Sequence, residues 1–179
     1  MAGFKLTYGT MYNPPEELHT NFDASLAKLK GNLGKEHAMI INGKDVFADE
    51  KFEDCTPINT EVVLAVMQKG NEKHAEQAMV AARKAFPGWS HTPWQERIKL
   101  LRKAAELIDE RLTDLGAVMA MEVGKNRMES MGDVAETADL IRYSCDMMEQ
   151  NNGFVKTMGV DPLPNHDSTN ISILRPYGV

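Results

Sequence analysis

The sequence predicts an α/β chain in which a leader helix and a small β element precede a layer of four helices and a final strand. Three observations predict this. Asn42-Gly43 lies between two apolar segments, a 3.6-residue periodicity sets in near Asn71, and polar and apolar side chains alternate from Asn170 to Leu174. With 179 residues, 42% of them hydrophobic, the chain can bury a core of its own.

The leader begins irregularly, and Pro14-Pro15 then opens a predicted helix in which Leu18, Phe22, Leu26 and Leu29 recur at three- and four-residue intervals. Gly31 and Gly34 end it. In the next segment Asn42-Gly43 supplies the two positive φ angles of a type I′ turn, so His37–Ile41 and Lys44–Phe47 read as a hairpin. The β-branched run from Val62 to Met67 reads as a third strand.

Asn71 is placed to cap the first helix of the layer, with Ala75, Ala78, Met79, Ala82 and Phe86 on its buried stripe and Pro87-Gly88 as its stop. The second helix is predicted from Thr92 as N-cap, Pro93 at the first position and Gln95 closing a capping box. Ile98, Leu101, Ala105, Ile108 and Leu112 form its stripe. A third helix runs from about Thr113 to Val123 and stops at Gly124. A fourth, from about Arg127 to Gln150, presents Met131, Val134, Ala138, Ile141, Cys145 and Met148 to the core. Val160–Asp167 reads as a loop. The final strand is expected to lack a partner nearby in sequence, leaving its backbone groups in need of a neighbour.

Composition narrows function mainly by exclusion. Lys and Arg number 20 against 26 Asp and Glu, a net charge of −6, which is the wrong sign for nucleic acid. Met1–Tyr8 carries no secretory signal, and no segment approaches the roughly 20 apolar residues of a membrane span, so a cytoplasmic chain with no membrane partner is expected. Cys55 and Cys145 stand apart, and His19, His37, His74, His91 and His166 form no metal-ligand spacing, so no metal site is expected. Neither a G-x-G-x-x-G nor a G-x-x-x-x-G-K-[ST] loop occurs, and no nucleotide is expected on this chain.

One helix carries a sharper signal. At about 100° per residue, Glu136 points nearly opposite the Met131/Val134/Ala138/Ile141/Cys145 stripe, and Leu140 and Tyr143 share its outward face. A plain solvated face would not carry Leu and Tyr there, so something is expected to cover it.

From about Met39 onward the chain resembles the aldehyde dehydrogenase superfamily in the order and spacing of short motifs. Ile40-Ile41-Asn42-Gly43-Lys44 resembles the family's I-x-G-x-W, with the Trp replaced. Cys55-Thr56-Pro57-Ile58-Asn59-Thr60-Glu61-Val62 stands where N-P-x-T-G-E-V is usual, departing at the first position and at the glycine. Ala81–Phe86 with Trp89, Glu96-Arg97 with Leu100-Leu101, and Glu122-Val123-Gly124-Lys125 follow A-x-x-A-F-x-x-W, E-R-x-x-x-L and E-x-G-K. Arg175-Pro176-Tyr177-Gly178-Val179 resembles the P-x-G-V that leads into the dinucleotide fold. Within the superfamily, Glu122–Asn126, Glu129-Ser130 and Asp133–Ile141 are similar to the glutamate γ-semialdehyde (pyrroline-5-carboxylate) dehydrogenases.

The resemblance implies the N-terminal part of an aldehyde dehydrogenase fold with its dinucleotide-binding fold incomplete. It divides the chain into a leader over 1–36, the start of the NAD(P)-binding domain over 37–159, and the start of a bridging, oligomerising strand over 160–179. It implies a parent enzyme that uses NAD or NADP to oxidise a small aldehyde, glutamate γ-semialdehyde in proline catabolism, and that is a homo-oligomer. The residue matching Glu136 meets the substrate's α-amino group in such enzymes, while Glu122 and Lys125 are read as helix-end and structural contacts. The family's thiolate nucleophile, its oxyanion-holding Asn and its water-activating Glu lie beyond Val179 in the family's order. No catalytic or cofactor-binding residue is therefore expected within the chain, which by itself is expected to be inactive. Two alternatives remain at this point: another aldehyde as substrate, or a short non-catalytic paralogue that binds a partner.

Overall fold

A computed structural model describes residues 6–7, 9–163 and 167–178. Parts of the expectations above, namely Met1–Lys5, Tyr8, the loop residues Pro164-Asn165-His166 and Val179, lie outside the described residues. The element order is α1 (Glu16–Lys30), β1 (Lys35–His37), β2 (Met39–Ile41), β3 (Lys44–Val46), β4 (Lys51–Cys55), β5 (Val63–Gln68), α2 (Glu72–His91), α3 (Trp94–Glu110), α4 (Leu112–Val123), α5 (Arg127–Gln150), β6 (Val155–Thr157) and β7 (Ile171–Ile173). This is the α/β chain that the sequence predicts.

Helix α5 is the spine of the fold. It buries Met131, Val134, Ala138 and Cys145, and it packs against α3 on one side and α4 on the other. The core at its N-terminal half joins Leu6, Leu18 and Phe22 of the leader to Ala117 and Ala120 of α4 and to Met131. Cross-ties hold the leader down. Lys28 pairs with Asp114 at 2.6 Å, Ser25 Oγ donates to Thr113 Oγ1 at 3.0 Å, and Arg127 donates to the His19 carbonyl at 3.3 Å and pairs with Asp23. The Arg127 guanidinium also lies 4.7 Å from the centroid of the Phe22 ring, a cation–π distance.

The predicted hairpin forms over Met39–Ile41 and Lys44–Val46, with β2 antiparallel to β3 and Asn42 and Gly43 at φ 54° and 70°, while His37, expected in its first strand, belongs to β1 and pairs with Met67 of β5. Strand β5 is the centre of a three-stranded sheet ordered β1-β5-β4, parallel to β1 and antiparallel to β4. The sequence pattern did not mark β1 or β4 as separate strands. Gln68, buried at the end of β5, fastens the neighbouring segments: its side chain accepts from the Ala48 amide at 2.9 Å and donates to Glu36 at 2.9 Å and to the His37 carbonyl at 3.0 Å. A buried amide satisfied in this way does not incur the cost of an unpaired one.

Four expectations need correction. Pro87-Gly88 does not stop α2, which runs on to His91. Proline lacks the amide that would bond one turn back, but the turn that follows is secured by other groups: Ser90 Oγ donates to the Pro87 carbonyl, and the Thr92 amide and hydroxyl both donate to the Gly88 carbonyl, all at 3.1 Å. The same contacts remove the predicted capping box, because the Thr92 hydroxyl is spent on the end of α2, and α3 starts after Pro93 without a side-chain cap. The stripes are also less covered than expected: Ala75, Ala78 and Met79 of α2 and Leu101 of α3 are exposed. Finally, the last strand is not alone. Ile171–Ile173 pairs antiparallel with Val155–Thr157.

Candidate functional site

Two of the motifs that carry the resemblance meet in space. Thr56, buried at the end of β4, donates its hydroxyl to the Met121 carbonyl near the end of α4 and accepts from the Ile58 amide at 3.3 Å. Gly124 closes α4 in the left-handed conformation, φ 76°, and a β-carbon there would come 3.2 Å from Pro57 Cγ. The glycine thus permits both the turn and the close approach. The turn delivers Lys125, and Asn126 then starts α5, its side chain accepting from the Glu129 amide at 3.0 Å.

Past this cap, Glu129, Asp133, Glu136 and Asp139 follow one another at three- and four-residue steps along α5, with Gly132 beside Asp133. With Gly132 and Ala135 they form one wall of a cleft of about 430 Å³. Lys125 lies at its end, and the opposite wall is built from Leu6, Thr7 and Met11 of the leader. A tight turn shapes that wall: the amides of Thr10 and Met11 donate to the Thr7 carbonyl at 3.0 and 2.9 Å, and the Thr7 amide donates to Thr10 Oγ1 at 2.8 Å. Leu6, only 4% exposed, anchors it in the core.

Glu136, the one site residue singled out from the sequence, is exposed and lines this cleft. Leu140 and Tyr143 are 58% and 60% exposed, as expected of an outward face. The leader wall was not anticipated, because nothing local in Leu6–Met11 shows which helix it will meet. Lys125 was read only as a structural contact, yet it lines the cleft and pairs with Asp133. That hydrogen bond is the main cause that raises the Lys125 ammonium above the usual lysine range; partial burial opposes it, and the charges of Asp133 and Glu129 add to it. Lys125 therefore stays charged.

A dinucleotide's phosphates need free amides at a strand-to-helix junction. The junction most like such a site is β5-Gly70-Asn71-α2, but there the Asn71 side chain already accepts from the Lys73 and His74 amides, and the His74 ring accepts from the Asn71 amide at 3.1 Å. The N-terminal amides that would hold a phosphate are occupied. Among the described residues no group of three or more His, Cys, Asp or Glu side chains is arranged to hold a metal ion. Cys145 is buried in the α3–α5 interface with its Sγ 3.7 Å from the Ile98 carbonyl, and Cys55 lies in β4; neither faces the cleft.

The sequence profile of the aldehyde dehydrogenase family matches residues 46–179. The chain belongs to the aldehyde dehydrogenase family. Among relatives in that family, it is 34% identical over 134 residues to the 1-pyrroline-5-carboxylate dehydrogenase of Staphylococcus saprophyticus, an alignment covering 74% of this chain and 26% of that protein. It is 35% identical over 127 residues to 1-pyrroline-5-carboxylate dehydrogenase 2 of Bacillus subtilis, covering 71% of this chain and 25% of that one. Among solved aldehyde dehydrogenase structures, the 1-pyrroline-5-carboxylate dehydrogenase from Thermus with bound NAD superposes with a TM-score of 0.80 at 28% identity, over 94% of this chain and 32% of that one. The fold is therefore that of the N-terminal part of an aldehyde dehydrogenase, and the chain spans about a quarter of the length of the curated relatives it matches.

Proposed function

We propose that this chain forms the Glu136-bearing wall of the substrate site in an NAD(P)-dependent aldehyde dehydrogenase that oxidises L-glutamate γ-semialdehyde to glutamate. The observation that carries the reading is the placement of Glu136, an exposed carboxylate on a roomy cleft, beside exposed Leu140 and Tyr143 on the same helix. An ammonium group favours a nearby carboxylate, and the apolar neighbours suit the methylene stem of the substrate. The matched 1-pyrroline-5-carboxylate dehydrogenases support the same substrate class. When bound, the nicotinamide cofactor accepts the hydride. On this reading the cofactor and the nucleophile are held by other parts of the parent enzyme, and the contribution of Glu136 is to bind and orient.

The whole protein on this reading is a homo-oligomer that acts in the cytoplasm. The β6–β7 ribbon, exposed at every position, is its bridging element. None of the described helices is long and apolar enough to cross a membrane.

The test is Glu136→Gln in an active polypeptide that contains this chain. Losing a charge-assisted hydrogen bond of about 1.5–3 kcal/mol lowers kcat/KM for glutamate semialdehyde by roughly 10- to 150-fold, while an aliphatic aldehyde without an amino group is oxidised as before. Unchanged kcat/KM for the semialdehyde, or an equal loss for both aldehydes, refutes the assignment. The 179-residue chain by itself shows no NAD-dependent oxidation of the semialdehyde; measurable turnover by it also refutes the reading.

A further inference from the structure

Three carboxylates stand on successive turns of one strip of α5: Asp133, Glu136 and Asp139. Both outer ones have a basic partner. Asp133 pairs with Lys125, and Asp139 pairs with Arg142 at 3.1 Å, the same guanidinium that reaches Asp109 on α3. Glu136, between them, takes part in no ion pair among the described residues. Three residues is one helical turn, close enough for neighbouring charges to act on each other. The described residues of the leader wall opposite, Leu6, Thr7 and Met11, carry no charged side chain. Glu129, the remaining acid on the cleft, stands two turns below Glu136, roughly 10 Å along the axis. There it lies in the first turn of α5, where the helix dipole favours a carboxylate, and within the field of Lys125.

The geometry points to Lys125 as a positioning and specificity residue: by compensating Asp133 it leaves Glu136 as the single uncompensated carboxylate at this level of the cleft, so that the site takes a compound with one ammonium in preference to one with two. The inference rests on Glu136 as the ammonium contact and adds what limits the site to one positive charge. A singly charged site matches an amino-acid aldehyde, which has one ammonium on an otherwise neutral or acidic stem, and it discriminates against diamines and the amino-aldehydes formed from them. Without Lys125, Asp133 presents a second anionic charge one turn from Glu136, and a second ammonium gains a partner.

The test uses the 179-residue chain and two probes of matched length, n-pentylamine with one ammonium and 1,5-diaminopentane with two. Affinities are read from amide chemical shifts of Gly132 to Leu140 at low ionic strength. The unaltered chain binds n-pentylamine more tightly than 1,5-diaminopentane, a tighter diamine overturning the inference, and Lys125→Met shifts the ratio toward the diamine by roughly three- to tenfold, as one unit charge at helix-turn distance does in a water-screened cleft. Lys125→Arg, which keeps the charge, restores the original ratio. Glu136→Gln abolishes binding of the monoamine. An unchanged ratio in Lys125→Met, while Glu136→Gln still abolishes monoamine binding, overturns the role of Lys125 and leaves Glu136 as the ammonium contact. The absence of saturable binding of either amine to the unaltered chain overturns the inference altogether. The substrate assignment is judged separately, by the semialdehyde kinetics of Glu136→Gln.

Discussion

Met131 of α5 packs directly onto Gly116 of α4: a β-carbon on Gly116 would lie 2.8 Å from Met131 Cγ, and Met131 is fully buried. The backbone of Met131 is within 3.5 Å of the same point, so the missing side chain of Gly116 lets the two helices approach closely here. Gly116→Val lowers stability by about 1–3 kcal/mol through overpacking. Gly116→Ala costs less, because alanine returns nearly 1 kcal/mol of helix propensity. Met131→Ala costs about 2–5 kcal/mol, and Gly116→Ala combined with it costs less than the sum of the two. Urea unfolding of the four proteins decides the matter; strictly additive losses would show that the two residues do not share one packing site.

The buried Thr56 hydroxyl joins the loop after β4 to the end of α4. Thr56→Val keeps the shape but strands the Met121 carbonyl and the Ile58 amide, a cost of about 1–3 kcal/mol. Thr56→Ser keeps the hydroxyl and loses less. The denaturation midpoints separate the two variants, and equal midpoints would mean that the hydrogen bonds contribute nothing net.

Acid weakens the tie between α1 and α4. The hydrogen bond from Lys28 holds the Asp114 carboxyl below its usual range, with a smaller contribution from Ser25, and burial opposes both. A depressed folded value means that the pair's stabilisation is complete above the unfolded carboxylate pKa, about 3.9, and is lost as pH falls through the lower folded value. Both side chains are well exposed, so the effect is at most about 1 kcal/mol. The difference in Tm between the unaltered chain and Asp114→Asn narrows as pH drops from neutrality to below 4; a difference independent of pH contradicts the pairing.

The helices and the hairpin were legible in the sequence because their signals are local. Asn42-Gly43 sets its own turn, Asn71 caps α2 within three residues, and the stripe of α5 repeats within its own length. Strands β1 and β4 were not legible: Lys35–His37 and Lys51–Cys55 are mostly polar edge strands whose only reason to be extended is β5 between them, with Lys35 opposite Ala65. The prolongation of α2 past Pro87 was hidden because hydroxyls of Ser90 and Thr92 make up for the proline, and the same hydroxyl of Thr92 cannot also start α3. At the cleft, the wheel of α5 singled out Glu136, but the wall facing it comes from a stretch of the leader with no periodicity to read.

The leader's ties span a long stretch of chain. His19 and Arg127 are 108 residues apart, and Ser25 and Thr113 are 88 apart. At synthesis rates of about 5–20 residues per second, roughly 5–20 seconds pass between the emergence of α1 from the ribosome and that of its partners on α4 and α5. Through that interval the Leu18 and Phe22 stripe lacks its partners on α4 and α5, so α1 is made early and docks late, with an apolar stripe that a chaperone recognising such helices could bind.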